Sequence, residues 1–218
     1  MSSPAQRHMM RVSAVEAAQR GNHALRHATG YEQMLVKLSS DKRTLKGVRS
    51  IERKAARKRE MLPHYAPWVA GVLAEGRGAQ DAVLMTVMVW KLDAGDLAGA
   101  LDIARYALTH QLVMPDTYTR PTPYLLAEDV AIAADRLRVA GEPIDVSLLL
   151  TTLELTDAED MPDQVRAKLH KITGLVLRDI GKDVQALTHL QRAMQLDRHA
   201  GVKKDISTLE AKIRKANG

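Results

Sequence analysis

The sequence contains no cysteine and no phenylalanine, and aromatic residues make up only 3% of its 218 positions. The absence of cysteine excludes disulfides and thiolate metal sites, and it fits a cytoplasmic protein. Without phenylalanine, the core must be built from Leu, Ala, Val, Ile and the ten Met. No run approaches the roughly 18 apolar residues that a membrane-spanning helix needs. Charged residues also interrupt the N-terminal stretch where a signal peptide requires an apolar block. The sequence therefore predicts a non-membrane protein with an aliphatic core.

Long Ala- and Leu-rich periodic segments favour helix over strand. We therefore predict an all-α fold, with a long basic N-terminal helix followed by a helical-hairpin, tetratricopeptide-like domain. Residues 84–108 and 170–194 share one pattern, in which Gly95 matches Gly181 and Ala107 matches Ala193. Each copy predicts a helix, a glycine turn and a second helix.

Shifts in composition divide the chain into five predicted parts. They are a flexible basic arm (1–30), a basic DNA-binding and oligomerisation helix (31–62), a first helical hairpin region (63–112), a Pro-rich loop (113–124) and a C-terminal helical domain (125–218). Pro63 and Pro67 should end the basic helix. Asp163 is a plausible N-cap, and the hairpin at 164–215 is a candidate surface for binding another protein.

Positive charge is concentrated in the N-terminal third of the chain. Residues 1–62 hold 14 Lys and Arg against 5 Asp and Glu, whereas the other 156 residues hold 18 against 21. A basic segment on an otherwise acidic chain predicts a polyanionic partner, most plausibly nucleic acid.

The basic residues of this segment recur at helical spacing. If residues 31–60 form one helix, five basic side chains fall within roughly 80° of one another and make a cationic stripe about 22 Å long. They are Lys42, Lys46, Arg49, Arg53 and Arg57. Three more lie on adjoining faces, so the DNA-binding candidates are Lys42, Arg43, Lys46, Arg49, Arg53, Lys54, Arg57 and Lys58. The structural alternative is a solvated helix face with i,i+4 partners such as Glu52.

An apolar seam runs beside the cationic stripe on the same predicted helix. It is formed by Leu38, Leu45, Val48 and Ile51. An exposed apolar seam needs a partner, so these residues are the candidates for a contact between subunits.

The sequence contains no recognisable catalytic or metal-binding motif. His23 and His27 have the i,i+4 spacing of a helical metal pair, but no third ligand stands at a recognisable distance. The acidic group Glu154, Asp157, Glu159, Asp160 and Asp163 could in principle hold Mg²⁺, although one solvated loop explains it better. No phosphate-binding loop is present. We therefore predict no catalytic residue, no metal and no cofactor.

The tryptophans and the paired methionines are more consistent with packing than with binding. Trp90, Met85 and Met88 lie on one apolar helix, which predicts core positions. Trp68 follows Pro67 and is less constrained, so it could pack or stack on a base.

Several longer segments resemble one known family over nearly the whole chain. They are SPAQRH (3–8), LRHAT (25–29), YEQMLVKL (31–38), LPHYAPWVAGVL (62–73), GAQDAVLMTVMVWKLDAGDLAGALDIARYAL (78–108) and MPDQVRAKLHKITGL (161–175). These segments are similar to the terminase small subunit of tailed phages, of the peduovirus type that is often labelled the endonuclease subunit.

The resemblance implies a role in packaging the phage genome in the cytoplasm of the infected host cell. It implies binding to double-stranded phage DNA at a cohesive-end site, assembly into a ring-like homo-oligomer and delivery of DNA to the large terminase subunit. Two alternatives stay open: a metal-dependent DNA endonuclease that uses the acidic loop, and a helical-repeat adaptor that does not bind DNA.

Overall fold

The structure is a computed structural model that describes residues 29–216. Every regular element in that range is helical, which confirms the predicted all-α class. The α-helices are α1 (Gly30–Lys46), α2 (Ile51–Met61), α3 (Ala66–Glu75), α4 (Ala82–Ala94), α5 (Leu97–Thr109), α6 (Thr122–Val139), α7 (Val146–Thr156), α8 (Asp163–Asp179), α9 (Asp183–Leu196) and α10 (Lys203–Ala216). A short 3-10 segment, Leu62–Tyr65, joins α2 to α3. None of the described helices is both long and apolar enough to cross a membrane.

The predicted single helix over 31–60 is wrong, because the chain leaves helical geometry between Lys46 and Ile51. Glycine is unfavourable in a helix interior by about 1 kcal/mol, so Gly47 weakens continuation there. Ser50 then starts a new helix as its N-cap, with its hydroxyl accepting a hydrogen bond from the Arg53 amide. Two helices joined by a short turn replace the predicted rod.

Helix α4 lies at the centre of the main core and packs against α1, α2, α3, α5 and α6. Ten of its 13 residues are buried, including Met85, Met88 and Trp90. A helix that is apolar on all sides belongs in the interior of a helical protein. The predicted aliphatic core and the packing roles of these three residues are therefore confirmed.

The two related segments each form a pair of packed helices, α4 with α5 and α8 with α9. In both pairs a glycine follows the first helix in the left-handed conformation, Gly95 at φ 85° and Gly181 at φ 77°. Only glycine adopts this conformation without steric cost, so the shared glycines reverse the chain in the same way. The hairpin prediction is confirmed at both places.

The C-terminal helices enclose a smaller core cluster of their own. Its buried members include Leu175, Leu177, Leu190, Ile206 and Leu209.

Two local predictions of helix boundaries need correction. The loop predicted over 113–124 ends early, because α6 already begins at Thr122. Asp163 is the first residue of α8, and Pro162 occupies the N-cap position assigned to it.

Candidate nucleic-acid interface

The basic segment folds into two capped helices around a four-residue turn. Helix α1 starts with a reciprocal capping box, in which the Glu32 amide donates to the Thr29 hydroxyl and the Glu32 carboxylate accepts from the Thr29 amide at 2.7 Å. It ends at Gly47, whose N–H donates to the carbonyls of Thr44 and Leu45. We call residues 42–54, which span this turn, the basic elbow.

The basic elbow carries six Lys or Arg residues and one Glu. Four of the cations, Arg43, Lys46, Arg49 and Arg53, are exposed, and Lys54 is half-buried. None of these five has an ion-pair partner among residues 29–216. Five unpaired cations therefore lie close together in the chain, and four of them are exposed, although the break in the helix means that they no longer lie on one straight helical face.

The other three predicted DNA-binding residues have partners or are partly covered. Burial lowers the pKa of Lys42 below its ordinary value. The Arg57 guanidinium pairs with Glu60 at 2.8 Å, and both side chains are exposed. Lys58 pairs with Asp93, and only 14% of its side chain is accessible. Lys58 is therefore held by the fold, whereas Arg57 is bound only through a weak surface pair.

Lys58 and its neighbour Arg59 attach α2 to the C-terminal end of α4. Lys58 donates to the Asp93 carboxylate, and the Arg59 Nε donates to the Ala94 carbonyl oxygen at 2.9 Å. Cations stabilise helix C-termini because unpaired carbonyl groups collect there. Sequence reasoning missed this attachment, since its two ends are 35 residues apart.

Asp41, the acidic residue next to the elbow, binds residues outside the elbow. Asp41 accepts a hydrogen bond from the Tyr65 hydroxyl at 2.7 Å and pairs with Lys37 at 3.0 Å. Burial, together with the hydrogen bond to Asp41, raises the pKa of Tyr65. Asp41 therefore serves the packing of α1 on the 3-10 segment and forms no ion pair with the cations of the elbow.

The predicted subunit seam is divided by the fold. Leu38 and Leu45 are 3% and 6% exposed and belong to the core of this chain, so they are not available on the surface described here. Val48 is half-buried. Ile51 is 70% exposed at the start of α2. Ile51 alone of the four presents a large apolar surface to solvent.

Trp68 has a structural role at the opposite end of α1. Its ring stacks on Tyr31 with centroids 5.7 Å apart, and its Nε1 donates to the Asp81 carboxylate at 2.8 Å. Asp81 also caps α4 by accepting from the amides of Val83 and Leu84. A ring that is stacked and hydrogen-bonded in this way connects α1, α3 and α4.

The sequence suggested two places for a metal ion, the pair His23 and His27 and the acidic loop. His23 and His27 lie outside the described residues. Between residues 29 and 216, no three His, Cys, Asp or Glu side chains are close enough together to share a metal ion. In the acidic loop, the Arg166 guanidinium donates to the backbone carbonyls of Thr156 and Glu159.

A histidine pair that the sequence analysis did not single out joins α8 to α9. The Nδ1 atoms of His170 and His189 are 3.0 Å apart, so one ring donates a hydrogen bond to the other. Burial, followed by the nearby His189 and Arg192, lowers the pKa of His170 to about 4. Burial also lowers the pKa of His189. Both imidazoles are therefore neutral at pH 7.

The histidine pair predicts that acid weakens the fold. Unfolded histidine binds protons below about pH 6.5, whereas in the folded protein burial lowers the pKa of both histidines, that of His170 to about 4. The stability that the buried, neutral histidine pair contributes is thus fully present above pH 6.5 and is lost as the pH falls from 6.5 towards 4. Allowing for solvent screening, we expect His170→Gln/His189→Gln to remove about 1 to 2 kcal/mol of the difference in unfolding free energy between pH 7 and pH 4.5. Denaturant titrations at both pH values measure it, and an unchanged difference would contradict the prediction.

Comparison with known proteins agrees with the resemblance seen in the sequence. The family model described as phage small terminase subunit matches residues 35–164. The "Terminase, endonuclease subunit" of Escherichia phage P2 is 63% identical over 214 residues, covering 98% of this chain and 87% of the relative. The "Probable terminase, endonuclease subunit" of Haemophilus phage HP1 (strain HP1c1) is 25% identical over 191 residues, covering 81% and 68%. No solved structure matches the chain. The chain therefore belongs to the phage small terminase subunit family and has a role in genome packaging.

Proposed function

We propose that the basic elbow binds double-stranded phage DNA during packaging in the infected host cell. The observation that carries this proposal is the set of five unpaired cations within residues 43–54, Arg43, Lys46, Arg49, Arg53 and Lys54, on the surface of the described chain. Some cations elsewhere are held by carboxylates, as Arg120 is by Glu128 and Asp129, whereas the elbow places five unpaired cations close together in the chain. Cations that the fold leaves unpaired are available to phosphates.

The chemistry of these side chains suits the DNA backbone. Each Lys or Arg that neutralises a phosphate releases a condensed counterion, so affinity depends steeply on salt. Such contacts position a protein on DNA but carry no sequence information by themselves. The attachment of α2 through Lys58 and Arg59 supports the proposal, because it holds Arg53 and Lys54 on a fixed surface.

Assembly would strengthen this binding. If several copies present their elbows to one DNA molecule, individually weak contacts combine through effective concentration. The exposed Ile51 next to the elbow is our candidate for part of a contact between copies. We further propose that the assembled small subunits deliver DNA from the cohesive-end site to the large terminase subunit, with the α8–α10 region as the candidate contact.

The dependence of DNA affinity on salt tests the elbow directly. Arg49→Ala/Arg53→Ala should weaken binding and reduce the slope of log affinity against log salt by about 0.9 for each phosphate that the variant no longer neutralises. Fluorescence anisotropy with a duplex containing the cohesive-end region, at four or five salt concentrations, measures both quantities.

A matched control separates local contacts from net charge. Arg105→Ala/Arg198→Ala removes the same charge from exposed positions on α5 and after α9. Its slope should stay close to that of the unmodified protein. An elbow variant with an unchanged slope, or a control variant with an equally reduced one, would contradict the assignment of the elbow.

The same preparations test the endonuclease alternative suggested by the names of the two relatives. Incubation of the purified chain with supercoiled DNA and Mg²⁺ reports any nicking. Cleavage that is lost in Glu154→Gln/Asp157→Asn/Asp160→Asn would support a metal-dependent nuclease at the acidic loop. We expect DNA binding by the elbow to be independent of those three substitutions.

A further inference from the structure

The histidine pair on α8 and α9 has the chemistry of a metal-binding site. We propose that His170 and His189 bind a divalent transition-metal ion of the zinc class through their Nδ1 atoms. The two nitrogens already converge, since they lie 3.0 Å apart and come from neighbouring helices. The helices are the closely packed pair α8 and α9, so the pair is held by rigid elements.

The distance between the nitrogens is close to what a bound ion requires. Zinc binds imidazole nitrogen at about 2.0–2.1 Å with tetrahedral angles, which places two such ligands about 3.3 to 3.4 Å apart. The ring centroids are 5.2 Å apart and the rings are inclined by 33°, so binding requires the nitrogens to separate by a few tenths of an ångström and the rings to turn until both lone pairs face the ion. When the ion binds, the proton that now lies between the nitrogens would move to Nε2 of the donor ring, so that both rings stay neutral and both Nδ1 lone pairs face the ion.

The protonation state of the pair also suits a metal. A metal ligand must be a neutral imidazole, and protons compete with the ion for the same lone pair. Because the pKa values of both histidines are lowered, protons compete weakly at pH 7. Arg166 and Arg192 oppose a bound cation, and Asp157 favours it.

The pair is accessible from solvent. Both rings line a cavity of about 280 Å³, together with Thr188, Gln191, Arg192 and Gln195. Zinc takes four ligands, so two histidines leave two positions for water or for a group supplied from outside the chain. The site would therefore be open, and the ion would link α8 to α9 in place of one hydrogen bond.

Metal titration of the 218-residue chain tests this proposal. Every variant should carry His23→Gln/His27→Gln, so that the i,i+4 pair in the sequence cannot contribute. Calorimetry should show one Zn²⁺ bound per chain, tighter binding of Cu²⁺ and no binding of Mg²⁺, in line with the preferences of imidazole. Electron paramagnetic resonance of the Cu²⁺ form should show coupling to two imidazole nitrogens.

Substitution of either histidine should remove the site. Removal of a group that only supports a metal ligand weakens metal binding roughly 10- to 100-fold. His170→Gln or His189→Gln removes a ligand itself and should therefore weaken Zn²⁺ binding by more than this. His199→Gln, a change at an exposed histidine, is the control and should bind as the parent does.

A second pair of variants distinguishes coordination from a general effect on folding. His189→Asp supplies a carboxylate ligand and should retain more Zn²⁺ affinity than His189→Asn, which has nearly the same shape. Circular dichroism at pH 7 without metal establishes that each variant is folded. A parent chain that binds no Zn²⁺, histidine variants that bind it equally well, or equal loss in the Asp and Asn variants would overturn the proposal.

Discussion

Asp81→Ala is expected to lower the free energy of unfolding by about 3 kcal/mol. Asp81 is 6% exposed, and its Oδ1 accepts from the amides of Val83 and Leu84 at 2.8 and 2.9 Å. Its Oδ2 accepts from the Trp68 indole at 2.8 Å. Alanine removes the cap of the central helix and also leaves the indole N–H without its acceptor. Urea denaturation followed by tryptophan fluorescence measures the loss.

The matched control is another aspartate cap in a more exposed place. Asp96 caps α5 by accepting from the Gly99 amide at 2.9 Å, and it pairs with Lys91. Asp96→Ala should cost about 1 kcal/mol, the ordinary value for a helix cap. Equal losses at the two positions would show that the hydrogen bond between Asp81 and Trp68 adds nothing to the cap.

Gly174→Ala is expected to destabilise the protein by about 2 kcal/mol, because α8 and α9 approach too closely at this point for a side chain. A Cβ placed on Gly174 would lie 2.7 Å from Leu190 Cγ and 3.0 Å from the Ala186 carbonyl oxygen. The overpacking exceeds the gain of about 1 kcal/mol that alanine brings to a helix. Thermal and urea unfolding measure the change.

Gly71→Ala is the same substitution in open space. Apart from the adjacent residues and the backbone of α3 itself, no atom lies within 4 Å of a Cβ at this position. Only the helix-propensity gain applies, so stability should rise by up to about 1 kcal/mol. Alanine is thus expected to lower the free energy of unfolding at Gly174 and to raise it at Gly71. A lower free energy of unfolding in both variants would contradict the packing explanation.

The fold class and most helices were predictable because they depend on local signals. The bounds of α3 follow from Pro63 before it, Pro67 in its first turn and the glycines after it, and the two hairpins follow from Gly95 and Gly181. The break within the basic segment was not predictable in this way. A single glycine and a serine are weak local signals, and the contacts of α2 with Asp93 and Ala94 come from a distant part of the chain.

The candidate interface was only partly predictable for the same reason. Spacing identifies Arg53 and Lys58 equally well as cations on a helix, and only the three-dimensional contact with Asp93 separates them. Periodicity likewise identifies Leu38 and Ile51 as apolar positions. It cannot tell whether this chain or a second copy covers them, and the structure shows that the chain itself buries Leu38.

Helix α2 contributes no buried residue to the protein. Its outer positions can therefore change during evolution without disturbing the core, provided that Lys58 and Arg59 continue to hold it against α4. The same separation makes α2 a convenient place to alter surface charge in an otherwise unchanged subunit.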